Sequence, residues 1–261
     1  MVMEIVRVRL IDSDEAEGCE EAPVLILNAL KEIKNKENGV EIEFDRFHLE
    51  EIHVDLGNID EANHLIFENS KEIFEKNSKA FFIGGDHSIS YSILKGFDKV
   101  QEGGLLIAFD GRCDCSLEGG NGGWLRKLID EGFDGRRIIL VGVRDLSMGD
   151  RDYLKENGVV IIGMDVLQED REGVCDLIME RAKDSEGFYL SLDVRVLDPA
   201  FAPGVNDLEP GGLSSRELIY FVKRLSLLEN FRGGDIVEVN PKKDINGMSV
   251  KLAGRLLGEM V

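Results

Sequence analysis

Short, nearly continuous hydrophobic runs alternate with longer amphipathic segments along this chain, and this alternation restricts its fold more than any other feature. Runs such as MEIVRVRLI, AFFIGG, GLLIAFD, RIILVGV and FYLSLDV have the length and the β-branched or aromatic character of buried strands. Segments such as EANHLIFENSKEIFEKN and SSRELIYFVKRLSLLEN repeat apolar residues at helical spacing. Strands that alternate with helices in this way predict βαβ units and a mainly parallel sheet. We predict about eight strands, the second of them in VEIEFDRF at residues 40–47.

The length of the chain bounds its organisation. Its 261 residues are enough for one large α/β domain or for two small ones. No Pro/Ser-rich linker, internal repeat or low-complexity tract interrupts the sequence. We therefore predict a single domain over residues 1–261. Ligands of open α/β sheets gather at the carboxyl ends of the strands, so the chemistry is expected there.

Charge and composition exclude several classes of partner. The formal net charge of −20 argues against electrostatic binding of nucleic acid or of an anionic membrane surface. A solvated acidic surface explains this charge, although it would also help to attract a basic ligand. No apolar run approaches the roughly 20 residues that cross a bilayer, and the first residues do not resemble a targeting peptide. Four cysteines, at 19, 113, 115 and 175, suit a reducing compartment. We predict a cytoplasmic protein with no nucleic acid and no membrane among its partners.

Polar residues are concentrated where four of the predicted strands end. After AFFI comes GGDHS, after GLLIAF comes DGRCD, after FYL comes SLDVR, and after GGDIV comes EVNP. Each motif alone is explained by a turn or a helix cap. Four motifs that each place a carboxylate or an imidazole at a strand end favour one common site. The candidate residues are His87, Asp110, Asp114, Asp193 and Glu238.

These blocks, together with SLDVRVLDPAFAPG followed by EPGGLS, resemble the signature motifs of the ureohydrolases, which include arginases, agmatinases and formiminoglutamases. The resemblance implies an arginase-like three-layer α/β/α sandwich with a central, mainly parallel eight-stranded sheet. It also implies two manganese ions bridged by a hydroxide that attacks a guanidinium or amidine carbon. Within the resemblance, Asp110, Asp193 and Glu238 are the catalytic candidates, and Glu238 would receive the guanidinium group of the substrate.

The resemblance assigns four ligands to the more buried metal, and this chain keeps them all. They are His87, Asp110, Asp114 and Asp193. The second metal would also need ligands at positions 112 and 195, where this chain has arginines. Arginine stays protonated and offers only donors, so Arg112 and Arg195 cannot hold a metal. We predict that their guanidinium groups replace the second ion. The site then binds at most one divalent metal ion, for which manganese is the first candidate, or it binds no metal.

Other features of the site stay open at the level of sequence. Glu238 could bind a small cationic guanidino or amine ligand, or it could pair internally with Arg112 or Arg195. The position of the family's proton shuttle matches Asn121, which cannot exchange a proton near neutral pH. Asp86 is predicted to orient the loop before the next helix rather than to bind metal.

Three functions are compatible with these residues. The first is hydrolysis of a linear amidine or guanidino compound, with one metal or by an altered mechanism. The second is a non-catalytic relative that binds a ligand or a partner subunit, and the third is an α/β protein in which the same residues serve stability alone. The resemblance also implies a homo-oligomer, either a trimer or a hexamer. The remaining histidines, His48, His53 and His64, lie outside the motifs and are predicted to be exposed.

Overall fold

The central element of the fold is a sheet of eight strands, seen in a computed structural model that describes residues 3–113, 115 and 123–261. Its strands are β1 Met3–Val8, β2 Phe47–Ile52, β3 Ala80–Gly84, β4 Leu105–Phe109, β5 Ile138–Val143, β6 Val160–Gly163, β7 Phe188–Asp193 and β8 Phe231–Val237. They lie side by side in the order β2-β1-β3-β8-β7-β4-β5-β6. All of these neighbours pair in parallel, so both faces of the sheet need a cover.

Helices cover both faces of this sheet. They are α1 Ala22–Glu32, α2 Ile59–Lys76, α3 Ile89–Val100, α4 Trp124–Asp130, α5 Met148–Glu156, α6 Met164–Glu169, α7 Arg171–Lys183, α8 Ser215–Ser226 and α9 Met248–Met260. One apolar core lies between the sheet and α1, α7, α8 and α9, and a second lies between the other face and α2, α3 and α4. Successive residues of a strand divide between the cores, as Phe81 and Phe82 do. The predicted three-layer α/β/α fold is confirmed. None of the helices in the described part of the chain combines the length and the apolar character needed to cross a membrane.

The second strand lies later in the chain than the sequence predicted. Residues 44–46 of the predicted strand form a turn of 3-10 helix, and β2 begins only at Phe47. From there it pairs with β1, from Met3 opposite Phe47 to Val8 opposite Ile52. The sequence misplaced β2 because it is an edge strand whose residues His48, Leu49 and Glu50 are all exposed, so it lacks the buried apolar pattern of a central strand.

The strand order explains why the polar motifs meet. β3, β8, β7 and β4 are consecutive neighbours in the sheet, and they are the four strands after which those motifs occur. Because the strands are parallel, their carboxyl ends lie along one edge of the sheet. That edge is where open α/β sheets bind their ligands.

Candidate active site and metal centre

Side chains from the four neighbouring strand ends meet in the interior of the protein. His87 lies in the turn between β3 and α3, Asp110 follows β4, Asp193 ends β7, and Glu238 follows β8. At most 2% of the surface of each residue is exposed. Buried ionised groups need partners, because removing an ion from water costs several kcal/mol. The contacts within this cluster therefore decide which charges it can hold.

His87 is held between two carboxylates. Its Nδ1 lies 3.4 Å from Oδ2 of Asp110 and 3.3 Å from Oδ2 of Asp193, and its Nε2 donates to Oγ of Ser191 at 3.0 Å. Burial lowers the pKa of His87, but the two carboxylates outweigh burial and raise this pKa to about 10. The imidazole is therefore a cation at neutral pH, and its positive charge lies between the two aspartates.

Arg195 brings its guanidinium group into the same cluster. Its Nε donates to Oδ2 of Asp193 at 2.9 Å, and its backbone N–H donates to Oδ1 at 2.7 Å. One terminal nitrogen also lies 2.7 Å from the same Oδ2 as an ion pair. The same terminal nitrogen lies 3.5 Å from Oε1 of Glu238. Burial alone would raise the pKa of Asp193, but Arg195 and His87 reverse this effect and hold that pKa below its ordinary value. Asp193 therefore stays ionised and is neutralised by two cations of the chain itself.

Glu238 has an unusual backbone conformation that fixes its position. Its φ of 69° lies in the left-handed region, which costs a residue with a side chain about 1–3 kcal/mol. Its N–H donates to the carbonyl oxygen of Gly85 at 2.9 Å, and its Oε1 accepts the backbone N–H of His87 at 2.9 Å. Burial raises the pKa of Glu238 to about 7, although Arg195 opposes this rise. The structure places Glu238 within ion-pair distance of Arg195, and the binding of a cationic ligand by Glu238 stays a prediction.

Arg112 is placed differently from Arg195. Its backbone N–H donates to Oδ1 of Asp110 at 2.9 Å. Its guanidinium group contacts Asp207 at 2.5 Å and lies 3.6 Å from Asp145, two carboxylates on the exposed side of the site. The side chain of Arg112 is 43% exposed, against 15% for Arg195. The guanidinium group of Arg112 thus contacts exposed carboxylates, whereas that of Arg195 contacts the buried Asp193. The replacement of a metal ion by these guanidinium groups stays a prediction.

Comparison with known proteins decides the family. The family model described as "Arginase family" matches residues 10–261. The chain belongs to the arginase family. Formimidoylglutamase of Bacillus subtilis (strain 168) is 32% identical over 260 residues, which cover 92% of this chain and 80% of that protein. The resemblance carried by the sequence motifs is thereby confirmed.

Two further arginase-family comparisons concern length and fold. Arginase 1, mitochondrial, of Oryza sativa subsp. indica is 32% identical over 213 residues, or 77% of this chain, and the chain spans 60% of the length of that arginase. The crystal structure of formimidoylglutamase from Bacillus subtilis subsp. subtilis str. 168 matches with a TM-score of 0.92 at 28% identity. That match covers 100% of this chain and 86% of the other. The arginase-like fold predicted from the sequence is therefore confirmed.

A metal of the kind that the arginase family implies fits among the buried residues of this cluster. Ligand atoms of His87, Asp110 and Asp193 all lie within 4.8 Å of one another. Nδ1 of His87 is buried and makes no well-aligned hydrogen bond to a described residue. An imidazole nitrogen and two carboxylate oxygens are donors that Mn²⁺ and similar divalent ions accept. Asp114, the predicted fourth ligand, lies outside the described residues, and so does Asn121.

A second metal does not fit the residues found beside this position. The guanidinium group of Arg195 lies against Asp193 and near Glu238, the carboxylates that a neighbouring ion would also approach. Arginine has no lone pair to offer and carries a permanent positive charge. The guanidinium group of Arg195 therefore adds a positive charge beside this position and offers no ligand to a metal.

Asp86 holds the loop that carries His87. Its Oδ2 accepts the backbone N–H of Asp12 at 2.7 Å, and its Oδ1 accepts the backbone N–H of Ser88 at 3.1 Å. The hydroxyl group of Ser88 donates to the same Oδ1 at 2.5 Å. These bonds tie the loop after β3 to the segment after β1. The predicted role of Asp86 in orienting this loop is confirmed.

Three buried hydroxyl groups, from Ser90 of α3 and from Tyr189 and Ser191 of β7, support the cluster in a way that the motifs did not reveal. Asp235 accepts hydrogen bonds from Ser90 at 2.8 Å, Tyr189 at 3.0 Å and Ser191 at 2.7 Å. Because Ser191 also accepts the hydrogen bond from Nε2 of His87, a continuous chain connects Asp235 to the imidazole. This chain fixes the ring so that Nδ1 faces the carboxylates. The one signal of it in the sequence is a charged residue inside the apolar run GGDIV.

Substitution of Ser191 by alanine is expected to lower the free energy of unfolding by about 1–3 kcal/mol, because Asp235 and His87 each lose a buried hydrogen-bond partner. Urea denaturation of the metal-free protein would show this as a lower midpoint at an unchanged m-value. Ser226→Ala is the control, since this hydroxyl bonds a helix carbonyl at a partly exposed position, and its expected change is within about 0.5 kcal/mol. Equal midpoints for the two variants would contradict a supporting role of the hydroxyl chain.

Proposed function

We propose that this arginase-family protein hydrolyses a C–N bond in a linear amidine or guanidino compound with one divalent metal, manganese in first place, instead of two. Family membership supports the reaction class. The observation that carries the single-metal part is the position of Arg195, 2.7 Å from Asp193 and 3.5 Å from Glu238. A permanent positive charge of the chain lies there, next to the position that fits an ion.

Each residue of the cluster has a role in this proposal. His87, Asp110 and Asp193 would hold the ion, with Asp114 as the further predicted ligand. The ion would supply Lewis acidity and a lowered pKa for a water molecule. Glu238, whose pKa is about 7, can give or take a proton near neutrality.

Arg195 would act as the electrostatic partner of the ion. Its guanidinium group is fixed by hydrogen bonds to Asp193 and is largely excluded from water, so its charge is only weakly screened. A cationic donor held in this way can stabilise the negative charge on the oxygen of a water molecule that loses its proton beside it, without reorganising during the reaction. Arg195 would thereby supply the positive charge of a second ion, but it would not bind the ligands of that ion.

A second candidate function is non-catalytic ligand binding or service as a partner subunit. The contact between Arg195 and Glu238 favours it, because in the family resemblance Glu238 receives the guanidinium group of the substrate. An arginine of the chain itself would then imitate the substrate and fill its place. In this alternative, a linear guanidino compound is neither bound nor hydrolysed at the cluster.

Trp124 gives a direct test of metal binding at the cluster. It is the one tryptophan of the chain, and its ring centre lies 4.4 Å from that of the His87 imidazole. Because Mn²⁺ is paramagnetic, its binding beside His87 is expected to quench the fluorescence of Trp124. His87→Ala should abolish the quenching, whereas His64→Ala, which removes an exposed histidine, should leave it unchanged.

The number of ions at the cluster is tested by electron paramagnetic resonance of the manganese-loaded protein. A spectrum of isolated Mn²⁺ is expected, and a spin-coupled pair would contradict the single-metal proposal. Release of urea from linear guanidino compounds, or of formamide from formimino compounds, then separates the two candidate functions. Quenching together with hydrolysis supports the enzyme, while the absence of both supports the non-catalytic relative.

Three broader expectations belong to the same proposal. Residues 1–261 would form a single domain, and the protein would assemble as a homo-oligomer, either a trimer or a hexamer. Its ligand would be a small cationic guanidino or amine compound, and its location would be the cytoplasm. Sedimentation equilibrium of the purified chain tests the assembly, since a monomeric mass would contradict it.

A further inference from the structure

A second group of potential metal ligands lies at the opposite end of the sheet from the cluster around His87. Glu4 and His48 are the second residues of β1 and β2, and they are directly opposite each other in the parallel pairing. Glu50 follows two residues later on β2, so its side chain lies on the same face as that of His48. The register of the two strands thus brings an imidazole and two carboxylates together at the amino-terminal end of the sheet.

The two carboxylates converge on a single nitrogen atom. Nδ1 of His48 lies 2.7 Å from Oε1 of Glu4 and 3.5 Å from Oε1 of Glu50. One ligand atom from each of the three residues lies within 4.8 Å of the other two. A proton on Nδ1 can form a good hydrogen bond to one of these oxygens, whereas a metal ion can bind both oxygens at the same time.

The burial of Glu4 shows that this carboxylate needs a cation beside it, which either a protonated His48 or a bound metal ion can supply. Only 4% of Glu4 is exposed, and it shares its face of β1 with the fully buried Val6 and Val8. A carboxylate on an apolar face needs a cationic partner to offset the loss of hydration. Lys76 lies nearby but already has another partner, because its ammonium group is hydrogen-bonded to Glu72.

We propose that Glu4, His48 and Glu50 form a binding site for a divalent transition-metal ion, distinct from the cluster around His87. An imidazole nitrogen with two carboxylate oxygens suits Zn²⁺, Co²⁺ or Mn²⁺. A tetrahedral ion with bonds of about 2.0–2.1 Å holds its ligands about 3.3 Å apart. The 3.5 Å distance from Nδ1 of His48 to Oε1 of Glu50 already matches this spacing. The 2.7 Å distance from Nδ1 to Oε1 of Glu4 would widen to it by a small rotation of a side chain.

The proposed site is open to solvent, and an ion bound there would affect the structure. The side chains of His48 and Glu50 are 58% and 45% exposed, so water can complete the coordination on the outer side. The ion would connect the edge strand β2 to β1 through its side chains, in addition to the backbone pairing. Binding to the folded state alone would then raise the stability of the whole protein.

Equilibrium dialysis against Co²⁺ tests the site in the full-length protein. His48→Ala is expected to bind one equivalent fewer than the parent protein. His53→Ala is the matched control, since His53 also lies 3.7 Å from a glutamate of β2, Glu51, but belongs to no group of three ligands within the described part of the chain. It should bind as many equivalents as the parent, and so should Glu51→Gln.

Two further readouts keep this test separate from the proposed function. In the His87→Ala background, one equivalent should remain, and its binding should leave the fluorescence of Trp124 unchanged. Saturating Zn²⁺ should raise the melting temperature of His87→Ala and of His87→Ala/His53→Ala, but not that of His87→Ala/His48→Ala. Equal metal content in the parent protein and in His48→Ala would overturn the proposal and leave a simple ion pair between Glu4 and His48.

Discussion

The double variant Arg112→His/Arg195→Asp is expected to bind a second manganese ion next to the first. The two substitutions return an imidazole and a carboxylate to the positions where the family resemblance places ligands of the second metal. The change at position 195 also removes the permanent positive charge that lies 2.7 Å from Asp193 and 3.5 Å from Glu238. The double variant therefore restores the missing ligands and removes the electrostatic repulsion at the same time.

The manganese spectrum measures this gain directly. The parent protein should give the signal of isolated ions, and the double variant should give a spin-coupled pair with one more equivalent bound. Arg195→Asp alone should gain part of the affinity, because it removes the buried cation, whereas Arg112→His alone should gain little. If the double variant keeps the parent's stoichiometry and spectrum, the assignment of positions 112 and 195 to a lost metal is wrong.

Arg136→Asp is a matched control for the change at position 195. Arg136 binds Asp134 as Arg195 binds Asp193, with its backbone N–H to one carboxylate oxygen and its side chain to the other. The pair at 134 and 136 lies on the surface, where the arginine side chain is 80% exposed. The same substitution there should change neither the metal content nor the spectrum.

The location of the candidate site could be predicted from the sequence because it depends on the ends of buried strands. Apolar runs that stop at a carboxylate or a histidine mark the carboxyl edge of a parallel sheet, and ligands bind along that edge. The structure brings His87, Asp110, Asp193 and Glu238 together as this reasoning requires. Asp114 and Asn121 lie outside the described residues, so their assignments stay predictions.

The contacts that decide the chemistry could not be predicted from the sequence. Whether a guanidinium group turns toward Glu238 or toward exposed carboxylates depends on side-chain conformation and on distant segments. Arg195 lies near the buried Glu238, whereas Arg112 contacts the exposed Asp145 and Asp207. These partners of Arg112 are 33 and 95 residues away in the chain. The wrong position of β2 has a related cause, because a polar edge strand lacks the apolar pattern that identifies central strands.

The charges of the cluster connect these observations to function. Without a metal, the buried carboxylates of Asp110, Asp193 and Glu238 face two cations of the chain, Arg195 and the protonated His87. The raised pKa of Glu238 brings the cluster closer to neutrality, since part of that carboxyl group is protonated near pH 7. The metal-free cluster therefore supplies most of its own counter-charges, and an ion bound at Nδ1 of His87 would have to displace the proton of that imidazole.

This balance makes Asp193 the most important carboxylate of the metal-free protein. Asp193→Ala is expected to lower the free energy of unfolding by about 3–5 kcal/mol, because Arg195 and His87 both lose a buried partner. Urea denaturation in the presence of a chelator measures the loss without a contribution from bound metal. The midpoint should fall at a nearly unchanged m-value.

Asp134→Ala separates the effect of burial from that of the local motif. Both aspartates begin a turn of 3-10 helix and accept hydrogen bonds from the arginine two residues later. At position 134 the ion pair is exposed, so the expected loss is about 1 kcal/mol, the ordinary value for a cap and a surface pair. The difference between the two variants then reports the cost of leaving buried cations unpaired. If the two losses were equal, the charges around Asp193 would be accessible to water, and the closed cluster on which the single-metal proposal depends would not exist in solution.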